Sequence, residues 1–193
     1  CLINNGGFGS VGHFCDLPLE RELAMIRLNI SALVAMTGHV LPQMVARGHG
    51  TIVNVSSVVA THPSPGFAVY AATKAFVTSF SAALTVELEG TGVHVQALHP
   101  GSTATNFQAV AGSGGRTPGG QQTAAQVVAC SMKALEAGKP IVVSGWMNRL
   151  LFPLMSAIPV GISARMSGRV LNRAARAKPL ENVAKKSGGL AKS

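Results

Sequence analysis

The stretch that decides the fold is TIVNVSSVVATHPSPGFAVYAATKAF, residues 51–76. Its first five residues are apolar and rich in β-branched side chains, which predicts a buried strand. A loop with two prolines follows, and apolar residues then return at helical spacing from residue 67 to residue 88. The stretch therefore predicts a strand, a loop and a long helix in that order.

The same alternation continues on both sides of this stretch. Apolar runs predict further strands at residues 1–4, 93–98 and 141–143. Helical spacing predicts one long or kinked helix at residues 19–47 and another helix at residues 124–137. Apolar strands that alternate with helices are typical of a parallel sheet covered by helices on both faces. We therefore expect an α/β fold in the order β-α-β-α-β-α-β.

The composition excludes several classes of protein. The chain has 193 residues, of which 47% are hydrophobic and only 12% charged, so it is not a disordered polyampholyte. Its three cysteines, Cys1, Cys15 and Cys130, have no CxxC spacing, which argues against a disulfide scaffold and favours a reducing cytosol. The six histidines show no metal-ligand spacing, so we predict no metal site.

The excess of positive over negative charge is confined to the last part of the chain. Residues 1–138 carry six Lys or Arg and six Asp or Glu, whereas residues 139–193 carry ten Lys or Arg and only Glu181 as an acid. No aromatic residue follows Phe152 for bases to stack on, so we expect no nucleic-acid partner. The longest apolar stretch, 150–162, is interrupted by two prolines and is shorter than a bilayer span, so we expect no transmembrane helix.

Tyr70 is the only tyrosine in the chain, and Lys74 lies four residues later. On a helix this spacing puts the phenol and the ammonium group on one face. An ammonium group nearby favours phenolate, so the pair is a candidate proton-transfer device. The alternative is a packed aromatic residue beside a solvated lysine, and the pair alone does not decide between them.

Further motifs stand in register with this pair. They are Asn4-Asn5-Gly6-Gly7, Asn29 in the first long helix, Ser57 after the strand at 51–55, and Pro100-Gly101-Ser102-Thr103-Ala104-Thr105 after the strand at 93–98. Together with Tyr70-x-x-x-Lys74 they resemble the short-chain dehydrogenase/reductase family over residues 1 to about 145. The resemblance implies a Rossmann-like parallel sheet and an NAD(P)-dependent oxidoreductase acting on a carbonyl or alcohol group.

The resemblance also implies a role for each motif residue. Tyr70 would be the acid–base catalyst, and Lys74 would lower the pKa of Tyr70 and hold the ribose of the cofactor. Ser57 would hydrogen-bond the substrate oxygen, and Asn29 would hold a water molecule that links Lys74 to solvent. The cofactor-binding residues, besides Tyr70 and Lys74, would be Asn4, Asn5, Gly6, Gly7, Pro100, Gly101, Thr103 and Thr105.

Two departures from the family pattern are visible. Gly6 stands where the family usually has alanine, which puts little in doubt. The glycine-rich TGxxxGxG turn that binds the pyrophosphate does not precede Cys1, and glycine-rich residues 112–120 do not replace it. We therefore expect a truncated sheet of about four strands from a longer protein and make no choice between NAD and NADP. The alternative function is a non-catalytic fragment or binding remnant.

Apolar side chains occupy the loops that would surround the substrate. They are Phe8, Val58, Val59, Phe67 and Phe107, and they favour a hydrophobic carbonyl compound or alcohol over a sugar. Residues 102–123 are rich in Gly, Ser and Thr and follow the end of a strand, which favours a lid. We also expect a homo-oligomer in the cytoplasm.

The organisation of the chain follows from these patterns. Residues 1–145 form the catalytic half of the Rossmann-like domain, residues 146–178 a helical extension, and residues 179–193 a basic tail that we expect to be disordered. In the extension, Arg165, Arg169, Arg173 and Arg176 form a stripe on an amphipathic helix. We predict that Trp146 packs on the sheet, with a place in the wall of a substrate pocket as the alternative. We favour packing of the amphipathic helix on the domain or on a partner subunit. The alternative is contact of residues 150–177 with the surface of an anionic membrane.

Overall fold

The structure is a computed structural model and describes residues 1–111 and 120–175. Its sheet has four strands: β1 (Leu2–Asn4), β2 (Gly50–Val55), β3 (Val93–His99) and β4 (Ile141–Val143). They lie in the order β1-β2-β3-β4 and every neighbouring pair is parallel. The predicted α/β class and the predicted strand order along the chain are confirmed.

Helices connect the strands and extend beyond the last one. They are α1 (Leu19–Ile26), α2 (Leu33–Ala46), α3 (Ala68–Glu87), α4 (Phe107–Ala111), α5 (Ala124–Glu136), α6 (Trp146–Ala157) and α7 (Val160–Ala175), with short 3₁₀ helices at Phe14–Asp16 and Val58–Thr61. A π-helical segment, Arg27–Ala32, joins α1 to α2 without a break. The first predicted helix is therefore one long helix with a local change of winding.

Two separate cores show why helices cover both faces of the sheet. Ile52 and Val53 are neighbours on β2, so their side chains point to opposite faces. The core around Ile52 contains Met44, Leu84, Leu88, Val93 and Val95, which places α2 and α3 on that face. The core around Val53 contains Leu98, Val127, Ala134 and Val142, which places α5 on the other face.

The ends of α5 illustrate how the sequence sets a helix boundary. The Thr123 hydroxyl accepts a hydrogen bond from the Gln126 backbone N–H (3.2 Å), and the Gln126 side chain accepts one from the Thr123 N–H (2.9 Å). This capping box satisfies two N–H groups that the helix itself leaves unpaired. At the other end Gly138 has φ +62°, a conformation that glycine adopts without a steric penalty.

Two helical stretches, Leu19–Ala46 and Ala68–Glu87, are long and apolar enough to cross a membrane by length and composition. The expectation of no transmembrane helix rests on the length of unbroken apolar runs. These two stretches are not such runs, because they contain polar residues. Both contribute side chains to the core around Ile52. Core helices of α/β proteins pass the same composition test, and these two pack against a sheet.

The C-terminal extension differs from its prediction in two ways. It forms two helices because Pro159 interrupts the helical backbone between Ala157 and Val160. The prediction that Trp146 packs on the sheet is wrong, because 75% of this side chain is exposed. Arg176 and the tail at 179–193 lie outside the described residues, as does part of the predicted lid, residues 112–119.

Candidate active site

The predicted site residues converge because parallel strands end at the same edge of the sheet. Asn4 is the last residue of β1, Ser57 follows the end of β2, and Pro100 follows the end of β3. Tyr70 and Lys74 lie in the first two turns of α3, which begins near this edge. The strand ends and the start of α3 thus form one crevice.

Tyr70 and Ser57 form the centre of the crevice. The Tyr70 side chain is buried and makes a hydrogen bond with the Ser57 side chain. Ser57 is the N-cap of the 3₁₀ helix Val58–Thr61, where its hydroxyl accepts a hydrogen bond from the Val59 N–H (3.4 Å). Burial raises the pKa of Tyr70 to about 12, and the hydrogen bond with Ser57 opposes this rise.

Lys74 lies beside Tyr70 as the spacing predicts. Its Nζ is 5.8 Å from the centroid of the Tyr70 ring and donates a hydrogen bond to the Val55 carbonyl (2.7 Å). Burial lowers the pKa of Lys74 to about 8. Desolvation of the phenolate is the largest cause of the raised Tyr70 pKa, and the Ser57 hydrogen bond is the cause that opposes it. The lowering of this pKa by Lys74 stays a prediction.

Asn29 is buried in the π-helical segment and ties two parts of the site together. Its Nδ2 donates to the Phe8 carbonyl and to Thr73 Oγ1, both at 3.0 Å, and its Oδ1 accepts from the Phe8 N–H (3.2 Å). Thr73 Oγ1 in turn donates to the Tyr70 carbonyl (2.8 Å). The Asn29 side chain therefore fixes the glycine loop against α3, and its predicted role in a water relay stays a prediction.

The loop after β1 approaches Lys74 closely. A Cβ atom built at Gly7 would lie 2.9 Å from Asn29 Oδ1 and 3.5 Å from Lys74 Nζ, whereas one at Gly6 would meet only Leu28 Cδ1, at 3.8 Å. The Gly6 position therefore has room for the alanine that is usual there, and Gly7 does not. Asn5 is exposed, while Asn4 donates to Asn54 Oδ1 (2.7 Å) and to Thr37 Oγ1 (3.1 Å).

The loop after β3 forms the opposite wall of the crevice. The Pro100 carbonyl accepts a hydrogen bond from the Val58 N–H (3.1 Å), and a Cβ atom at Gly101 would collide with the Asn148 side chain. Thr103 Oγ1 donates to the Gly101 carbonyl (3.1 Å), and Thr105 Oγ1 accepts from the Phe107 N–H (3.3 Å). The threonine hydroxyls thus stabilise the loop itself, and their contact with a cofactor stays a prediction.

Aromatic side chains flank the phenol. The ring of Phe107, at the start of α4, lies 5.2 Å from the Tyr70 ring, and the ring of Phe67 lies 6.0 Å from it. Val58 and Val59 are half-buried in the 3₁₀ helix that follows Ser57. Phe8 differs from the other four pocket residues, because its ring lies under the Arg21 guanidinium group at 5.3 Å.

A second polar cluster, which sequence reasoning missed, lies beneath the site. The hydroxyls of Ser56 and Thr78 both hydrogen-bond the Lys74 carbonyl, at 2.9 and 3.0 Å, and lie 2.8 Å from each other. His99 Nε2 is 3.0 Å from Thr78 Oγ1, and burial lowers the pKa of His99 to about 4. A signal was present in the sequence, since Thr78 lies four residues after Lys74 on α3.

Comparison with known proteins identifies the family. Residues 1–114 match the family described as short chain dehydrogenase. The chain belongs to that family. It is 45% identical over 103 residues to a probable NADP-dependent dehydrogenase from Haemophilus influenzae, a match that covers 52% of this chain and 40% of that protein. It is 38% identical over 122 residues to a serine 3-dehydrogenase from Rhizobium radiobacter, covering 63% of this chain and 47% of the relative.

Solved structures agree with the family assignment. A short-chain dehydrogenase from Sphingobium yanoikuyae, solved in complex with NADPH, superimposes with a TM-score of 0.71 at 31% identity, covering 82% of this chain and 65% of that one. The four-stranded part described above is therefore a recognisable portion of a short-chain dehydrogenase. The chain spans about half, or less, of the length of the curated relatives described above.

Proposed function

We propose that this protein is an NAD(P)-dependent oxidoreductase that interconverts a carbonyl group and an alcohol. The observation that carries this proposal is the meeting of Tyr70, Ser57 and Lys74 in one crevice at the carboxyl edge of the sheet. The names of similar proteins support it, because they include NADP-dependent dehydrogenases. The same names favour NADP over NAD.

The residues present fit a nicotinamide dinucleotide. Lys74 donates one of its three N–H groups to the Val55 carbonyl, which leaves donors for ribose hydroxyls. The absence of a side chain at Gly7 keeps backbone, rather than Cβ, next to that ammonium group. When bound, the cofactor supplies or accepts a hydride.

The chain's own residues supply the proton chemistry. With a pKa of about 12, Tyr70 carries its proton at neutral pH and can donate it to a carbonyl oxygen as that oxygen gains negative charge. Ser57 can hydrogen-bond the same oxygen, so two donors are preorganised for the developing charge. Alcohol oxidation needs the phenolate of Tyr70, which the Lys74 ammonium group favours.

The rings of Phe67 and Phe107 beside Tyr70 favour an apolar substrate. We therefore propose an apolar ketone, aldehyde or secondary alcohol rather than a sugar. The part of the proposed lid that the structure describes includes Phe107, which α4 brings against the phenol.

We also propose a homo-oligomer. A groove of about 540 Å³ lies between the long first helix and α3 and is lined by Phe14, Ile26, Ile30, Ala68, Val69, Ala72, Thr73 and Phe76. Leu23 and Val34 of the same helical layer are also exposed. A second copy of this apolar surface would bury it, and Phe76→Asp should then lower the molar mass measured by light scattering.

A cytoplasmic location is the proposal most consistent with the cysteines. All three are free, and Cys130 accepts a hydrogen bond from the Arg149 guanidinium group (3.0 Å). Fluorescence microscopy of a tagged protein tests the location. Enrichment of the tagged protein at a membrane would indicate that a cytoplasmic protein is also attached to that membrane peripherally.

The test of the catalytic proposal uses the protein expressed from its complete reading frame. NADPH oxidation is followed by the loss of its near-ultraviolet absorbance. The substrates compared are apolar ketones and aldehydes and, at matched concentration, sugars. Turnover of the apolar carbonyls, with little for the sugars, is the expected result. In parallel, nicotinamide fluorescence measures cofactor binding. Cofactor binding without turnover of any carbonyl, or neither property, would instead support the non-catalytic alternative.

A further inference from the structure

Helix α6 presents an apolar face away from the domain. Trp146, Leu150 and Leu154 recur every four residues, so they share one side of the helix. Their side chains are 75%, 68% and 61% exposed, and none of the twelve residues of α6 is buried. Large apolar side chains grouped on one exposed helical face indicate an interaction surface.

The opposite side of α6 is anchored, so the exposed face has a defined direction. The Phe152 ring packs edge-on against the buried His99 ring, with 4.7 Å between the centroids. Asn148 Nδ2 donates to the Ser144 carbonyl (2.8 Å), and Arg149 Nε donates to the Val143 carbonyl (2.9 Å). The helix is therefore docked by one side, and Trp146, Leu150 and Leu154 project from the other.

Helix α7, which follows α6 in the chain, also has exposed apolar side chains. Val160 and Ile162 are 70% and 54% exposed, and the adjoining Arg165 and Met166 are exposed as well. A Cβ atom built at Gly168 would lie 3.6 Å from Pro65 Cγ, so α7 runs beside the loop that precedes α3. We use the name C-terminal face for the exposed residues Trp146, Leu150, Leu154, Val160, Ile162, Arg165 and Met166.

The segment of sequence that contains the C-terminal face also carries the excess positive charge of the chain. Residues 139–193 carry ten Lys or Arg against Glu181 alone, while residues 1–138 are balanced at six of each sign. Apolar side chains that include a tryptophan, combined with basic residues, are typical of helices that lie in the interface of an anionic bilayer. An interface with a second copy of the chain would bring these like charges together.

We propose that the C-terminal face docks on the surface of an anionic membrane, with α6 and α7 lying in the interface. Trp146, Leu150 and Leu154 enter the headgroup region, Arg165 meets the lipid phosphates, and the positive charge of the C-terminal sequence attracts the chain to anionic lipid. The packing role favoured by the sequence is thus met by the side of α6 that carries Phe152 and by the part of α7 near Pro65. This attachment is independent of the proposed catalytic activity and can be tested without it.

The test is binding of the full chain to vesicles of phosphatidylcholine, with and without phosphatidylserine, measured by sedimentation. We expect binding to the anionic vesicles and a drop of at least tenfold in affinity between about 0.01 and 0.15 M salt, because the Debye length shrinks from about 30 to 8 Å. Equal binding to neutral vesicles, or no binding to anionic vesicles at the lower salt, would overturn the proposal.

Trp146 also supplies a direct optical signal, since it is the only tryptophan of the chain. Its emission should shift to shorter wavelength on anionic vesicles and be quenched by lipids with brominated acyl chains. Binding without either change would mean that another surface makes the contact.

Substitutions separate the C-terminal face from general apolar exposure. Leu150→Gln with Leu154→Gln should lower vesicle affinity at least tenfold. The matched controls are Val86→Gln and Val128→Gln, which alter valines that are 65% and 58% exposed on other helices, and these should bind vesicles like the wild type. Thermal unfolding of each variant checks that it is folded.

The remaining outcomes decide against the proposal. Unchanged vesicle binding of a folded Leu150→Gln, Leu154→Gln variant would show that the C-terminal face does not dock on lipid. Loss of self-association in that variant, with no vesicle binding by the wild type, would assign the face to a contact between copies of the chain.

Discussion

Two polar clusters meet at Lys74 from opposite sides, and they are built differently. In the crevice, the Lys74 ammonium group, Tyr70 and Ser57 make few hydrogen bonds within the described part of the chain. Beneath it, the Lys74 carbonyl accepts hydrogen bonds from Ser56 and Thr78, and His99 closes that cluster. The first cluster keeps donors for a ligand, whereas in the second the Ser56 and Thr78 hydroxyls are paired with protein groups and, among the described residues, only His99 Nδ1 is buried without a partner.

This difference gives the ammonium group and the backbone carbonyl of Lys74 separate roles. A buried donor without a partner costs free energy, so donors are left unpaired mainly where a ligand completes them. A cluster whose hydroxyl groups are paired within the protein instead fixes its members in place. We call Ser56, Thr78 and His99 the support cluster, and Tyr70, Ser57 and the Lys74 ammonium group the crevice cluster. The support cluster holds the backbone of α3 at Lys74, while the crevice cluster carries the chemistry.

The largest effect is expected from Tyr70→Phe. This change removes the hydroxyl proton and keeps the ring that packs against Phe67 and Phe107. Turnover should fall by roughly 10² to 10⁴, the usual contribution of general acid–base catalysis, while NADPH affinity stays nearly unchanged. Steady-state kinetics and nicotinamide fluorescence measure the two quantities in the protein expressed from its complete reading frame.

Lys74→Ala is the matched comparison for that experiment. It removes the ammonium group that favours phenolate and that would hold the ribose, so it should reduce both turnover and NADPH affinity. Retention of more than about a tenth of the rate by Tyr70→Phe would contradict the acid–base role of Tyr70.

The support cluster predicts a dependence of stability on pH. Because burial lowers the pKa of His99 from 6.5 to about 4, the native state stays neutral at this position while the unfolded state binds a proton below pH 6.5. The unfolded state then binds more protons, so stability falls as pH falls from 6.5 towards 4, by roughly 3 kcal/mol in total. Chemical denaturation at several pH values measures this loss.

His99→Gln should remove that part of the pH dependence while keeping a polar group beside Thr78. His94→Gln is its control, because His94 lies on the same strand but is exposed. An equal loss of stability on acidification in wild type and His99→Gln would show that other groups carry the dependence.

The contrast also explains how much of the molecule was predictable from sequence. Strand and helix patterns depend on local periodicity, so β2 and α3 were predicted to within two residues. Motif spacing likewise brought Ser57, Tyr70 and Lys74 to one crevice. The contact of His99 with Thr78 joins residues 21 positions apart through a hydroxyl, and no local pattern encodes such a contact.

Burial is the other quantity that sequence spacing does not give. The i to i+4 spacing correctly places Lys74 beside Tyr70, but the direction of the Tyr70 pKa depends on how completely the crevice excludes water. The outward position of Trp146 was missed for the same reason. Its helix is docked through Phe152 and His99, a contact between distant parts of the chain.

A smaller effect is expected where the glycine loop meets the crevice cluster. In Gly7→Ala the new methyl group would lie 2.9 Å from Asn29 Oδ1, so the loop or the Asn29 side chain must move. We expect a loss of about 1–3 kcal/mol in stability, as for other overpacked sites, together with weaker NADPH binding. Unfolding in urea and nicotinamide fluorescence measure the two effects.

Gly6→Ala should have the smallest effect and serves as the matched control for Gly7→Ala. Its methyl group would lie 3.8 Å from Leu28 Cδ1, an ordinary van der Waals contact, and Gly6 is not among the described glycines with positive φ. Alanine also loses less backbone entropy than glycine on folding, so stability should rise by up to about 1 kcal/mol. NADPH affinity should not change. If Gly6→Ala were as damaging as Gly7→Ala, the loop would be sensitive to any side chain, and the proximity of Gly7 to Asn29 and Lys74 would not be the cause.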